Sequence, residues 1–439
     1  MGMPRTRLSL LLAVLAVALG LRIGAAFAVQ SLLDHHLHRA FLVPGDAEGY
    51  WELGQRLVAG KEYALYEPPR YALRMPGFPL LLSACMQVLG ENPLPLRIVL
   101  AVIGTFACGL VYRLGRDLCG EDVGILAAAL AAVSPMMVGF SVLFLSETFF
   151  AVGLLASLIV IAALLRHPQE RMGDLFGWGL AILGGLSVAA TCYVRPSWLL
   201  SAPLFVLISV LLATRRSIAA ARGVVFLAAL IVALAPWALR NEKVTGHRVW
   251  TTLWVGASLY DGLRPGATGA SDMRFVEDDG IYHRMSEYNA DQYYRRAAWE
   301  FVRTHPGETV RLAFVKLWRF WKPWPSADQF SNFILDVLIG GYFILVTALA
   351  AIPLVMTLRG RRSCSSSRTE LLLFTCGPLL YFSAIHMVFV ASLRYRLPAE
   401  YAFFVLSAVG VKHLIDRRKR RQGTMPLDAD ALAGSSPSG

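Results

Sequence analysis

Long apolar stretches recur along the chain near 8–29, 94–114, 122–140, 146–165, 175–191, 196–213, 222–239, 335–358, 370–391 and 396–415. Each is about 17 to 25 residues long, enough for a helix to cross roughly 30 Å of hydrocarbon. All are expected to be helices, because lipid offers the backbone no hydrogen-bond partner and nothing alternates like the strands of a barrel. The first stretch follows MGMPRTR and is too long for the core of a cleaved signal, so it is read as a span. A shorter apolar run, 78–89, is followed at once by GENPLP and is read as re-entrant or interfacial. Counted as a tilted span, it would move one terminus across the membrane. The expected architecture is all-α and polytopic, with about 10 to 12 membrane helices.

Positive charge orients these spans. Arg5, Arg7, Arg113, Arg116, Arg166, Arg171, Arg215, Arg216 and Arg222, the run RGRRSCSSSR at 359–368 and RRKRR at 417–421 all fall on one side in alternation. That side is expected to be the cytoplasm, with both termini on it. Two long polar loops, about 30–93 and 240–334, then lie outside. The predicted organisation is a transmembrane module over 1–239 that includes the first loop, a second extracytoplasmic loop at 240–334, membrane helices over 335–415, and a tail at 416–439 that is basic, then disordered. The second loop holds two amphipathic patterns, YNADQYYRRAAWEFVRTHP and GETVRLAFVKLWRFWKPWP. Trp318, Trp321 and Trp324 beside Lys316, Arg319 and Lys322 suit an interfacial anchor, with rings at headgroup level and cations near phosphate.

Composition agrees with a membrane residence: 56% of the 439 residues are hydrophobic and only 16% are charged. The net charge of +12 sits in the short cytoplasmic runs, so no nucleic-acid partner is read from it. Cys85, Cys108, Cys119, Cys192, Cys364 and Cys376 are scattered singly, which indicates neither a disulfide framework nor a cysteine metal site.

The candidate chemistry gathers on the outer side. In PGDAEGYWELGQRLVAG at 44–60, Asp46 and Glu48 follow a Pro-Gly turn and precede an amphipathic helix. Asp46 is either a helix cap, with Glu48 supporting the helix dipole, or an acid presented at the bilayer surface. Arg74 in LRMPGFP, Glu147 in FLSETFF, Arg195 in CYVRPSW, Arg240 with Asn241 in PWALRNE, and Arg394 with Arg396 in SLRYRLP fall at the same outer ends. Each arginine taken singly could be a snorkelling anchor. Glu147 differs, because a carboxylate in an apolar run is costly unless it faces a cation or a polar cavity. Together, carboxylates and arginines under outer loops suit an anionic lipid-linked substrate, the cations holding phosphate and an acid activating a hydroxyl. DHHLH at 34–38 is read as a solvated interfacial turn rather than a metal site, since adjacent histidines on a helix do not face one ion. His386, within a span, is read as a packing histidine below Arg394.

The ordered segments PGDAEGYWELGQRLVAG, RMPGFPLLL, SETFF, RPSW, PWALRNE and LRYRLP resemble the bacterial members of glycosyltransferase family 39. These are relatives of the protein mannosyltransferases and the lipid A aminoarabinose transferases, with the GT-C fold. The resemblance implies an enzyme of the plasma membrane, active on the periplasmic or extracellular side, that uses a polyprenyl-phosphate sugar donor and a lipid, glycan or protein acceptor. It implies Asp46 as catalytic base in an inverting single displacement. The family often places a second acid directly beside the first; here Ala47 intervenes and Glu48 is the nearest counterpart. The donor phosphate maps onto Arg74, Arg195 and Arg394, with Glu147 and Arg396 as further substrate contacts. Neither cofactor nor metal is expected, and the chain has no glycine-rich phosphate loop. The main alternative is a flippase or transporter of a lipid-linked sugar, which would place its site near the midplane on broken helices. There Arg22 is the main charged residue.

Overall fold

In the computed structural model, residues 4–167, 174–325, 333–359 and 366–422 are described. Arg171, Cys364, most of the 359–368 basic run and the tail beyond Gln422 lie outside them. The described residues form helices α1 (Arg5–Leu32), α2 (Asp46–Val58), α3 (Gly77–Leu89), α4 (Pro93–Cys119), α5 (Glu121–Val133), α6 (Pro135–Phe140), α7 (Glu147–Arg166), α8 (Leu175–Val194), α9 (Ser201–Leu212), α10 (Arg216–Thr245), α11 (Val255–Gly262), α12 (Phe275–Asp278), α13 (Ile281–Arg284), α14 (Glu287–Thr304), α15 (Pro306–Trp321), α16 (Phe333–Leu358), α17 (Arg368–Thr375), α18 (Gly377–Val388) and α19 (Leu397–Arg421). Among them the only extended pairing is a single bridge between Leu65 and Arg70. The all-α, multi-pass expectation holds.

Six of these helical stretches are long and apolar enough to cross a membrane, and α17 with α18, bent by 45°, can make a seventh. The other expected spans take different forms. The 122–140 stretch is divided into α5 and α6 at Ser134, where Pro135 disfavours helical geometry in the preceding residue. The 196–213 stretch is a short 3-10 turn followed by the 12-residue α9. α19 runs 25 residues but carries Glu400 near its start and four basic residues in its last turn. The 78–89 run is the 13-residue α3, short for a span.

The core lies where α4, α5, α7 and α19 pack together, around residues such as Leu114, Phe150, Leu154, Tyr401 and Val405. Two buried arginines hold the broken α5–α6 region. Arg22 donates to the carbonyls of Ala131 and Ala132 at 3.2 Å each, and Arg97 donates to that of Val142 at 2.7 Å. Carbonyls released by a helix break need such donors in an apolar interior. Cys85, Cys108, Cys192 and Cys376 are free thiols, whereas Cys119 at the end of α4 is disulfide-bonded, which the scattered single cysteines did not foretell.

Residues 254–312 fold on themselves. Trp254, Tyr260, Phe275, Tyr282 and Tyr294 form one small aromatic core, and Leu263, Ala298, Phe301 and Leu312 form another.

Candidate active site

The site begins at the turn into α2. Gly45, at φ +77°, supplies a left-handed conformation that a side chain would strain. Asp46 is the first helical residue, where the positive end of the helix favours a carboxylate. It does not cap the helix, because Glu48 does so: its Oε2 accepts from the Gly45 amide at 3.1 Å. Asp46 is therefore free for other partners and has two. Its Oδ1 accepts from Arg74 Nη2 at 2.9 Å, and its Oδ2 accepts from Arg394 Nη2.

Arg74 reaches Asp46 across the face of α2 at Gly49, where a Cβ would stand 3.2 Å from Arg74 Nε. The start of α3 is pressed just as closely on the end of α8: a Cβ on Gly77 would lie 2.7 Å from the Tyr193 carbonyl oxygen. That contact brings Arg195 alongside. Arg195 precedes Pro196 and is extended, at φ −146° and ψ 123°, which ends α8 and turns its side chain into the cluster.

Glu147 opens α7 and is 3% exposed. Its Oε1 pairs with Arg195 Nη1 at 2.8 Å and lies 3.6 Å from Arg394 Nε. Its Oε2 is buried with no hydrogen-bond partner among the described residues. Arg394 sits in the short turn Leu393–Tyr395 ahead of α19 and so touches both carboxylates. Aromatic rings line the arginines. The Tyr395 ring lies 5.4 Å from Arg195 and 5.0 Å from Arg394, and the Tyr50 ring lies 4.5 Å from Arg74. Tyr395 stacks flat on His386, and Tyr50 shares a 3.2 Å hydrogen bond with Ser146.

Burial alone would raise the Asp46 carboxyl, but the Arg394 and Arg74 guanidiniums overcome it and hold it far below the ordinary aspartate range. Three guanidiniums against two carboxylates leave the cluster one positive charge in excess. Such a cluster can exchange internal ion pairs for an incoming phosphate and retains a carboxylate that can accept a proton.

Asp46, Arg74, Glu147, Arg195 and Arg394 thus come together. Glu48 and Arg396 do not. The exposed Glu48 is spent on the α2 cap. Arg396 is 1% exposed and points into the bundle, pairing with Glu400, donating to the carbonyls of Phe320 and Lys322, and covering the Phe343 ring at 3.6 Å. Its separation from Arg394 follows from the turn that ends between them at the start of α19. Tyr50, Ser146 and Tyr395 were not among the expected site residues. Tyr50 lies one helical turn past Asp46 and Tyr395 lies between the two flagged arginines, so helical spacing was the available signal for the first and adjacency for the second. Residues 34–37 of that stretch lie in the π-helical turn Leu33–Leu37, where Asp34 accepts from Gln30. Among the described residues no three His, Cys, Asp or Glu side chains gather as a metal site.

Residues 70–239 match the family model described as dolichyl-phosphate-mannose-protein mannosyltransferase. The archaeal oligosaccharyltransferase AglB from Archaeoglobus fulgidus, solved with an inhibitory peptide and a dolichol-phosphate, superposes with a TM-score of 0.59 at 14% identity, over 99% of this chain and 52% of that one. Its apo form gives 0.58 at 14% identity, over 96% and 52%. At this identity the likeness is one of fold: the chain shares the fold of these membrane oligosaccharyltransferases. The chain spans about half the length of these oligosaccharyltransferases. ArnT from Cupriavidus metallidurans, bound to undecaprenyl phosphate, aligns with a TM-score of 0.41 at 14% identity, over 92% of this chain and 77% of that one. No curated protein matches by sequence.

Proposed function

We propose that this chain is a membrane glycosyltransferase that moves a sugar from a polyprenyl-phosphate donor to an acceptor hydroxyl on the extracytoplasmic face of a bacterial plasma membrane. The observation that carries the proposal is the pairing of Asp46 with both Arg74 and Arg394, beside the Glu147–Arg195 pair. The donor phosphate would draw Arg74, Arg195 and Arg394 to itself. Asp46, released from its two cations, would take the acceptor hydroxyl's proton while that oxygen attacks the anomeric carbon from the face opposite the leaving phosphate. The configuration inverts, and the arginines stabilise the departing phosphate dianion. Glu147 keeps Arg195 and Arg394 in register. Residues 246–325 serve as the roof over this face.

A transporter reading would need a polar site near the midplane. Arg22, the charged residue deepest in the first span, is already committed to the Ala18, Ala131 and Ala132 carbonyls. That commitment favours the enzyme.

The test compares glycolipids, surface polysaccharide and glycoproteins by mass spectrometry in a strain lacking the gene, complemented with wild type or with Asp46→Asn at matched membrane expression. One species should lose a single sugar on deletion and regain it with wild type. Asp46→Asn should restore it at a rate lower by about 10² to 10⁴. Full restoration by Asp46→Asn would remove Asp46 from the mechanism, and accumulation of an unflipped carrier would favour transport.

A further inference from the structure

Arg74 sits in a stretch, 60–75, that has no helix to hold it, yet its guanidinium meets Asp46 at hydrogen-bond distance. Two and three residues earlier, every backbone polar group of Ala72 and Tyr71 is taken by residues from 240 onward. The Glu287 carboxylate accepts from the Tyr71 amide at 2.7 Å and from the Ala72 amide at 3.1 Å, using both oxygens. Arg240 donates to the Tyr71 carbonyl at 2.5 Å and to that of Tyr63 at 2.8 Å. The Leu253 amide donates to the Ala72 carbonyl at 2.8 Å. Tyr63, held in this way, donates its hydroxyl to the carbonyls of Arg74 and Met75 at 3.3 Å each.

Glu287 is 8% exposed and makes no salt bridge among the described residues. Burial pushes the Glu287 carboxyl up, and the Ala72 and Tyr71 amides aimed at it, followed by the charges of Arg70 and Arg240, oppose that rise. Ser286 already caps α14 by accepting from Asn289, so Glu287 is not needed to start its own helix. Arg70 makes no hydrogen bond to Glu287 but acts on it through space, its guanidinium resting 3.9 Å from the Tyr282 ring and 4.7 Å from that of Tyr66.

We infer that Glu287 is a positioning residue for the proposed donor-phosphate site: through the Tyr71 and Ala72 amides it fixes Arg74 against Asp46, coupling the segment after α10 to the segment before α3. The inference rests on the donor-binding reading above.

The test uses the full chain in lipid nanodiscs, with undecaprenyl phosphate as probe and undecaprenol as control. Glu287→Ala should weaken undecaprenyl phosphate binding about tenfold, because a misplaced binding group loses much of its effect. Its melting temperature should fall modestly, because two amides lose their acceptor, and the Tyr71 and Ala72 amides should exchange with deuterium faster than in wild type. Glu287→Gln retains one acceptor oxygen and should recover most of the affinity, leaving a loss of about threefold. If Glu287→Ala binds as wild type does while Arg74→Gln binds weakly, the positioning role is overturned and the donor reading stands. If wild type does not distinguish undecaprenyl phosphate from undecaprenol, the donor reading falls and takes this role with it. Should Glu287→Ala fail to fold, wild-type exchange and wild-type affinity in Glu287→Gln would overturn the inference by themselves.

Discussion

Glu147 and Arg195 form an ion pair at 2.8 Å in which the carboxylate is almost wholly withdrawn from solvent. The two residues stand at opposite kinds of helix end, Glu147 at the start of α7 and Arg195 just past the end of α8. Those helices pack side by side, so a negative group at the positive end of one meets a positive group at the negative end of the other. The pair is thus favoured by both helices before any ligand arrives.

Removing one partner should therefore be costly. Glu147→Gln leaves Arg195 with a neutral neighbour, and the loss expected for a broken buried pair is about 3 kcal/mol, the low end of the usual range because Arg195 is partly exposed. Urea or thermal unfolding in micelles reads this directly. The double variant Glu147→Leu with Arg195→Met should lie closer to wild type than either single change. Equal losses that simply add would mean that the pair contributes nothing as a pair.

Asp46 predicts a pH dependence. Burial raises its carboxyl, the two arginines lower it by more, and the net position is far below the ordinary aspartate value. Its contribution to stability is then fully present above about pH 4 and is lost only as pH falls through the depressed folded value. The acid limb of kcat/KM, which reports the free enzyme, should show no contribution from Asp46 near neutrality. Arg74→Gln removes one cation, so the Asp46 carboxyl rises and the acid limb moves to higher pH. A limb that stays in place in this variant would show that Asp46 is not the titrating base.

Much of this cluster was legible in the sequence for a reason specific to membranes. Apolar spans force polar residues to their ends, and the placement of positive charge says which ends share a face. On that ground Asp46, Arg74, Glu147, Arg195 and Arg394 could be grouped, together with Arg240, Asn241 and Arg396, and the family resemblance singled out Asp46 and the three phosphate arginines. Arg396 could not be separated from Arg394 in the same way, because a three-residue turn decides which of two near neighbours enters the site. Glu287 was illegible for a different reason. Its partners are backbone amides more than 200 residues away, and an amide leaves no mark in sequence composition. The break between α5 and α6 had a signal in Pro135, but apolar residues on both sides hid it within one continuous stretch.

Lys316 supplies a second pH prediction, on stability. It is fully buried on α15 and donates to the Val388 carbonyl at 2.6 Å. Burial pushes its ammonium down to about 8, with Asp261 opposing only part of the fall. Between about 8 and an unfolded value near 10.4, the unfolded chain carries a proton that the folded chain lacks, so stability rises with pH across that window and is lowest below it. The full rise amounts to about 3 kcal/mol at roughly 1.4 kcal/mol per unit. Lys316→Met should flatten the difference between stability at pH 8 and at pH 10. An unchanged slope would mean that other groups, such as tyrosines, carry it.

The face of α15 opposite Lys316 predicts where the helix lies. Val310, Phe314 and Trp318 recur at four-residue spacing and are 57%, 62% and 65% exposed, while Leu312, Lys316 and Phe320 recur on the other face and are buried. An exposed apolar stripe on a helix that also carries Arg311, Arg319 and Lys322 near its ends is stable when the stripe enters the acyl boundary and the cations stay with phosphate. Lipids brominated high on the acyl chain should therefore quench Trp318 more strongly than lipids brominated near the terminal methyl. Trp318→Phe isolates this signal from the other tryptophans by difference. Quenching by an aqueous quencher such as iodide, with none from the brominated lipids, would put the stripe in solvent and remove α15 from the interface.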